Sequence, residues 1–393
     1  MMESYDVMIV GGGVIGSAVA YFLLGPGGFD GSVAVVERDP TYANGSTGRS
    51  IGGIRQQFSV PENIRLSLFG AEFVKEAPAH LAVEGEMPEL GFKEQGYLFL
   101  ASAEGLDALR ENHALQVSEG AAIDAYDAEG LADRFPWLNA GDLAGGCFGA
   151  ANEGWLDPYG LLQAFRKKAR SLGATYLEDD VTGLERAGGR IAAVETASGA
   201  RIACGQVVNA AGAAAGRVAA MAGIELPVVP KKRLVFAFDC REAPAGPLPL
   251  TVDPSGVYFR PEGAQFLCGK SPEPEDDPEC WDFEIDYDLF EEVLWPALAH
   301  RVPAFEAIKM AGAWAGHYEV NLLDDNAVIG PHPEVSNLFF VNGFSGHGLQ
   351  QAPGAGRAIA ELILTGGFRT IDLSRFGYAR VAAKAPVLER GIV

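Results

Sequence analysis

Cysteine is scarce in this chain of 393 residues: Cys147, Cys204, Cys240, Cys268 and Cys280 are five in number, scattered, with no CxxC pair. An odd count at such spacing offers neither a disulfide framework nor a zinc site, and it points to a reducing cytoplasm. Basic residues are also in deficit. The 30 Lys and Arg against 52 Asp and Glu give a formal net charge of −22, which argues against nucleic acid or an anionic membrane as a partner. No stretch approaches the roughly 20 uninterrupted apolar residues of a membrane span. The apolar start from Val7 to Leu24 lacks a basic n-region and is interrupted by glycines, so it does not read as a signal sequence. No Ser-His-Asp or metal-binding constellation stands out.

What is abundant is glycine, with 50 residues. Two glycine-rich segments at opposite ends carry the strongest signal. Gly11-Gly12-Gly13-Val14-Ile15-Gly16 follows the strand-like run Tyr5 to Val10, and Gly343-Phe344-Ser345-Gly346-His347-Gly348 follows another, Asn337 to Val341. The first has the form of a phosphate cradle. The second has the form of a loop that lays backbone N–H groups against a planar ring, so that one long cofactor is held from both ends.

The length predicts two or three domains. Residues 5–10 and 32–37 read as buried strands flanking a helix over 14–24, a βαβ unit, with the breaker cluster Gly25 to Gly31 ending the helix. A strand over 206–209 leads into the small-residue run Ala210 to Gly216, where Ala211 and Gly212 let backbone approach a ligand. Another over 338–341 precedes a helix from about Leu349 to Leu364, in which Pro353 is tolerable only in the first turn. Between these pieces lie aromatic-rich strands near 96–100, 234–238 and 256–260, of antiparallel character. The expected fold class is α/β with two domains. Residues 1–85, 146–225 and 313–393 form a Rossmann-like nucleotide domain, and 86–145 and 226–312 form an inserted antiparallel β-rich substrate domain. The acidic, proline-rich stretch Ser271 to Glu279 reads as a solvated loop.

Gly11, Gly13 and Gly16 come directly after a strand and open a helix, with Val14 and Ile15 in its first turn. Glycines there permit a tight turn, close approach of a pyrophosphate and close helix–strand packing. The orphan N–H groups and the helix dipole then face the phosphate charge. Glu37, at the end of the next strand and about 20 residues past the last glycine, is placed to accept hydrogen bonds from a ribose. Its charge disfavours a 2′-phosphate. These residues predict a dinucleotide and leave NAD and FAD both open.

The segment Asn44 to Ser59 resembles the flavin-contacting stretch of the D-amino-acid oxidase superfamily, and within it the glycine oxidase, sarcosine oxidase and amino-acid dehydrogenase group. Gln206 to Gly212, Gly256 to Pro261 and the Gly343 to Gly348 loop agree with it, in order and over nearly the whole chain. The resemblance implies FAD rather than NAD. It implies that Gly11, Gly13, Gly16, Glu37 and Arg38 hold the ADP half, with Val181 near the adenine through its backbone. Ser46, Thr47, Ser50 and Gly52 would lie along the pyrophosphate and flavin, and the loop from Gly343 through Gly346, His347, Gly348, Leu349 and Gln350 would meet the isoalloxazine ring. Independently of the resemblance, a helix beginning near Leu349 offers donors and positive potential where a reduced flavin carries negative charge. Ser50 and Gly316 occupy the places at which relatives attach flavin covalently, so non-covalent FAD is expected. Leu267 or Cys268 stands where sarcosine-oxidase-like relatives carry an oxygen-activating lysine, and Lys270 is out of register; oxygen is therefore expected to be a poor or moderate acceptor.

Amine oxidation of this kind moves a hydride from the Cα–H of an amino acid to flavin N5 and leaves an imine that water hydrolyses, so the protein must orient the donor carbon. A substrate carboxylate needs a fixed cation, best a guanidinium, and Arg55 matches the residue that binds carboxylate in sarcosine-oxidase-like relatives. The arginine of glycine oxidases stands here as Tyr318, and the second carboxylate-binding lysine of sarcosine oxidases as Gln350. Tyr258 and Tyr318 are candidates to wall the substrate and donate hydrogen bonds, and His347 to tune the flavin or touch the substrate.

The leading expectation is FAD-dependent oxidation of the C–N bond of a small amino acid, a secondary amine or N-substituted glycine, with oxygen or another acceptor taking the electrons. Two alternatives stand beside it. The stretch Ile54 to Ile64 resembles a branch described as assembly factors for the respiratory chain, which implies a flavin-binding scaffold. A D-amino-acid dehydrogenase or an NAD-dependent opine-type dehydrogenase would share the first glycine motif.

Overall fold

Val7 to Val10 are buried, and in the computed structural model, which describes residues 3–390, they run through the middle of a mainly parallel sheet. β1 (Ser4–Val10) pairs in parallel with β2 (Val33–Glu37) on one side and with the strand Arg201–Asn209 on the other. Parallel strands covered on both faces read as continuous apolar runs, which is why Val33 to Val36 show no alternation. α1 (Val14–Leu24) makes the crossover, with Val14 to Leu23 all buried. The sheet continues through Thr175–Glu178 beside β2 and Leu338–Asn342 beside Arg201–Asn209, and Val328–Pro331 closes it as an antiparallel edge. Because β1, Arg201–Asn209 and Leu338–Asn342 are mutually parallel, the loops that follow them emerge at the same end of the sheet. Those loops are the glycine turn at 11–16, the small-residue run at 210–216 and the glycine loop at 343–348.

The helix Gly348–Thr365 packs on α1 and on the helix Pro61–His80. A Cβ on Gly356 would lie 2.8 Å from Ala18, so the two helices approach as closely as a glycine allows. This helix corrects one expectation. It begins at Gly348, which puts Pro353 in its second turn rather than its first. The backbone bond that Pro353 cannot donate is outweighed by packing, since Leu349 to Gly356 are all buried.

The second eight-stranded sheet has the order Ile308–Asn321, Val228–Cys240, Gln265–Gly269, Tyr258–Glu262, Leu250–Val252, Tyr97–Ala101, Gly145–Gly149, Ile123–Asp127. Its two longest strands pair from Val228 opposite Asn321 to Cys240 opposite Ile308, with a register shift at Ala237 and Phe238. Under it lies an aromatic core in which Phe238, Phe259 and Phe266 each meet the Phe305 ring at centroid distances of 5.1, 5.2 and 4.9 Å. Each such fully buried ring contributes about 1.5–3 kcal/mol. The pairing is antiparallel except between Leu250–Val252 and Tyr97–Ala101, which run parallel where two separate insertions of chain meet. The boundaries expected at 145/146 and 312/313 fall inside Gly145–Gly149 and Ile308–Asn321, both strands of this sheet. The stretch Ser271 to Glu279 is mostly exposed, as its composition predicts, but not wholly solvated: the Asp277 side chain is 8% exposed and is bound by Arg233 at 2.7 and 2.8 Å and by Lys231 at 3.2 Å.

Candidate active site

A cavity of about 430 Å³ opens between the ends of the parallel strands and the second sheet. Gly11, Gly13, Val14 and Ile15 form one wall, with Glu37, Arg38 and Val181 beside them and Ala211 and Gly212 across from the glycine turn. Ser46, Thr47 and Ser50 run along it toward Tyr258, Tyr318, Gly346, Gly348 and Leu349 at the other end. Six expected site residues do not line it. Gly16 is a packing residue, since a Cβ there would fall 1.9 Å from the Gly11 carbonyl oxygen, and Gly52 is closed off by the Leu156 carbonyl at 2.1 Å. Gly343, Gln350, Arg55 and His347 stand behind the wall, where they hold one another and the loops.

The glycine turn shows which positions serve the fold and which serve a ligand. Gly11 has φ +99°, and a Cβ on it would meet the Ala210 carbonyl oxygen at 2.4 Å. Gly13 is different: a Cβ on it would have Thr47 Oγ1 as its nearest neighbour, at 3.7 Å, an ordinary contact. Protein packing does not require a glycine there. α1 has no acidic residue in its first turn and no side-chain cap, so its first N–H groups remain available to an anion. Of these, the Val14 N–H reaches Thr47 Oγ1 only at 3.4 Å. Glu37 accepts the Gly12 N–H at 2.8 Å on one oxygen and the Asp39 N–H at 2.9 Å on the other. Burial raises its carboxyl above the ordinary value while those two N–H groups pull the other way.

At the opposite end, the Gly343 to Gly348 loop is fastened to the strand Ile308–Asn321. Glu319 Oε2 accepts the Gly343 N–H at 3.1 Å, the Glu319 carbonyl accepts the Ser345 N–H at 3.1 Å, and Ser345 Oγ accepts the Asn321 N–H at 3.1 Å. Glu319 lines the cavity, and burial pushes its carboxyl up to about 8 against the N–H groups of Gly343 and Phe344. Sequence reasoning passed over this residue. Its signal was a single carboxylate in the otherwise uncharged run Ala311 to Val320. Arg49, from the Asn44 to Ser59 segment, also lines the cavity, and so do Arg233, Trp281 and Phe283, which were not anticipated because they come from separate segments that no local spacing connects. The Arg49 guanidinium lies 4.1 Å above the Phe283 ring and donates to the Ala315 carbonyl at 2.7 Å.

Arg55 is buried between aromatic rings, its guanidinium 4.3 Å from the Phe58 centroid and 5.1 Å from that of Phe99. Nη1 donates to the Gln57 carbonyl at 2.6 Å, Nη2 lies 3.0 Å from His347 Nε2, and the Arg55 amide donates to Gln350 Oε1 at 2.6 Å. Among the described residues no carboxylate lies within ion-pair distance of it. His347 is held down to about 3, by burial first and by the Arg55 charge second. The Tyr258 and Tyr318 hydroxyls are raised by burial, stay protonated, and have no hydrogen-bond partner among the described residues. Both residues line the cavity. No lysine is among the lining residues. Leu267 and Cys268 sit in the buried strand Gln265–Gly269, and Lys270 pairs with Glu273 at 2.9 Å. Among the described residues, no group of three or more His, Cys, Asp and Glu could hold a metal, and no helix is long and apolar enough to cross a membrane.

The family model described as FAD dependent oxidoreductase (DAO) matches residues 6–362. FAD-dependent oxidoreductase domain-containing protein 1 of Xenopus laevis is 44% identical over 427 aligned residues, covering 100% of this chain and 85% of that protein. Glycine oxidase of Bacillus subtilis (strain 168) is 26% identical, with 93% of this chain and 94% of that protein covered. The crystal structure of L-proline dehydrogenase from P. horikoshii superposes with a TM-score of 0.86 at 27% identity, covering 98% of this chain and 99% of that one. FAD fits the residues present. The uncapped, acid-free start of α1 suits a pyrophosphate, the room at Gly13 and Gly212 is filled by no protein side chain, and the start of Gly348–Thr365, also free of acidic residues, suits the electron-rich edge of a reduced ring.

Proposed function

Because this chain belongs to the DAO family of FAD-dependent oxidoreductases, we propose that it oxidises the C–N bond of a small amino acid, a secondary amine or N-substituted glycine. The observation that carries this reading is Arg55, a buried guanidinium with no carboxylate partner among the described residues. A buried charge without a counter-charge is costly. Glu389 and Glu153 act on Arg55 only from beyond ion-pair distance, so a substrate carboxylate that reaches past the cavity wall to it would supply the close partner, and the fork geometry of arginine suits it. Two of the five guanidinium N–H groups are engaged, by Gln57 and His347, which leaves donors for the ligand. Glycine oxidase and L-proline dehydrogenase, both named for small amino acids, agree with this class of substrate.

Bound FAD supplies the acceptor for the hydride that leaves Cα, after which water hydrolyses the imine. The protein's own residues fix the geometry. His347, neutral, holds the Arg55 fork in one orientation. Tyr258 and Tyr318, protonated, donate into the cavity and orient the substrate amine and carboxylate. Ser50 and Gly316 offer no thiol or imidazole for attachment, so FAD is held without a covalent bond, and acid precipitation is expected to release all yellow colour. With no lysine on the cavity wall, oxygen is expected to be a poor or moderate acceptor, and anaerobic reduction to outpace peroxide formation. The decisive experiment is an anaerobic titration of the flavoprotein with sarcosine, glycine, N-alkylglycines, proline and D-amino acids. Bleaching of flavin absorbance by a secondary amine is expected; a flavin that stays oxidised through the whole panel overturns the reading.

A further inference from the structure

Glu153 is fully buried, with 0% exposure, and lies outside the cavity wall. Its place is fixed by backbone pairing: Gly53 and Ile54 pair with Trp155 and Gly154, which sets the residues after one strand beside the residue before the other. Glu153 Oε1 accepts the Gln56 N–H at 2.6 Å, and Oε2 accepts Gln57 Nε2 at 2.8 Å. Gln57 also gives its carbonyl to Arg55 Nη1 at 2.6 Å. One glutamine therefore bridges a buried guanidinium and a buried carboxyl that do not touch. The ionisable groups that act on this carboxyl are Arg55, Tyr97 and Cys147. Burial raises the Tyr97 hydroxyl and pushes the Cys147 thiol up to about 12, so both are neutral and Arg55 is the charge Glu153 responds to.

We infer that Glu153 is a proton-linked counter-ion of Arg55, a positioning residue that takes up a proton as a carboxylate docks on Arg55 and thereby sets how tightly that carboxylate is held. This rests on the carboxylate role proposed for Arg55. While Arg55 is unoccupied, its charge supports an ionised Glu153; once a ligand carboxylate neutralises it, that support is lost and burial favours the protonated acid. Linkage makes the effect reciprocal: a proton on Glu153 raises carboxylate affinity by the same factor. The Glu153 carboxyl is pushed up to about 8 by burial against the N–H groups of Gln56 and Gln57. Below that pH it already carries its proton and affinity is level. Above it the proton is drawn from solvent, and the Kd rises by up to about tenfold per pH unit.

The test is calorimetric titration of the FAD-loaded protein with acetate, in pairs of buffers of different protonation enthalpy, from about pH 6.5 to about pH 9.5. The wild type is expected to take up a fraction of a proton, rising toward one, above pH 8, and almost none at the low end. Glu153→Gln is expected to abolish the uptake and flatten the affinity profile. Infrared difference spectra of the wild type give a second readout that no variant limits: a protonated-carboxyl C=O band should appear when acetate binds at high pH. Acetate binding through Arg55 with no proton uptake, or uptake that survives in Glu153→Gln, overturns the inference alone. Acetate that fails to bind, or binds equally to Arg55→Met, overturns the carboxylate reading beneath it.

Discussion

Nη2 of Arg55 and Nε2 of His347 lie 3.0 Å apart, and because a guanidinium only donates, the imidazole accepts there and keeps its proton on Nδ1. Burial first, and the Arg55 charge that a protonated His347 would face second, hold the ring down to about 3. A histidine depressed in this way lowers stability as pH falls below its unfolded value near 6.5, since the unfolded chain then binds the extra proton. We predict that the His347 ring nitrogens, followed by ¹⁵N NMR in selectively labelled protein, show no titration between about pH 5 and 9. A midpoint near 6.5 would contradict the pairing.

Replacing Arg55 by Lys tests the fork. Lysine retains the charge but not the planar donor set that stacks on Phe58 and Phe99 and reaches Gln57 and His347. Losing one partner of such a pair costs about 2–5 kcal/mol, so the variant is expected to bind the reducing amino acid about 10²–10³ times more weakly while still purifying with FAD. Reduction half-saturation in anaerobic stopped flow measures this. An unchanged half-saturation constant would show that the carboxylate is bound elsewhere.

Much of the frame was legible because it is local. Strand, glycine turn, helix and Glu37 sit within residues 4–37, and their spacing alone specifies the βαβ unit that α1 and its neighbours form. The strand Ile308–Asn321 was not legible over its full length, because Lys309, Ala311 and Gly312 in its first half are exposed and its extent is set by pairing with Val228–Cys240. Glu153 and Glu319 were missed for the same kind of reason. A carboxyl in a one-dimensional sequence looks solvated, and only the packing of distant segments shows that each is enclosed and bound by backbone N–H groups. Asp277 belongs with them, hidden in an acidic run that otherwise behaves as its composition suggests.

Gly11 and Gly13 are two residues apart and should fail in different ways. Alanine at 11 would need a strained φ and would press its Cβ to 2.4 Å from the Ala210 carbonyl oxygen, so Gly11→Ala is expected to destabilise the FAD-free protein by about 1–3 kcal/mol. Alanine at 13 meets nothing closer than 3.7 Å. Gly13→Ala is therefore expected to melt within about 1–2 °C of the wild type without cofactor and yet to bind FAD at least tenfold more weakly, because the added methyl occupies cavity. Thermal melts of both apo-proteins, followed by FAD titration monitored by flavin fluorescence, separate the two roles. Equal loss of stability in both variants would mean that Gly13, too, is a packing residue.

Glu319 gives a stability prediction whose sign is fixed by its environment. Burial pushes this carboxyl up to about 8 in the folded protein, whereas in the unfolded chain it titrates near 4.3. Between those values the folded state binds more protons than the unfolded state, so this residue's contribution to stability falls as pH rises from about 4 to about 8 and is level beyond. Glu319→Gln keeps an oxygen to accept the Gly343 N–H but cannot ionise. The variant is expected to melt close to wild type near pH 5 and to gain on it steadily toward pH 9, by about 2–5 °C at the alkaline end. Glu153 titrates over the same range in both proteins and cancels from the difference. Scanning fluorimetry of the two FAD-free proteins across that range measures the gap, and a gap independent of pH would show that Glu319 is already ionised at neutral pH and that the Gly343 to Gly348 loop rests on a charged anchor.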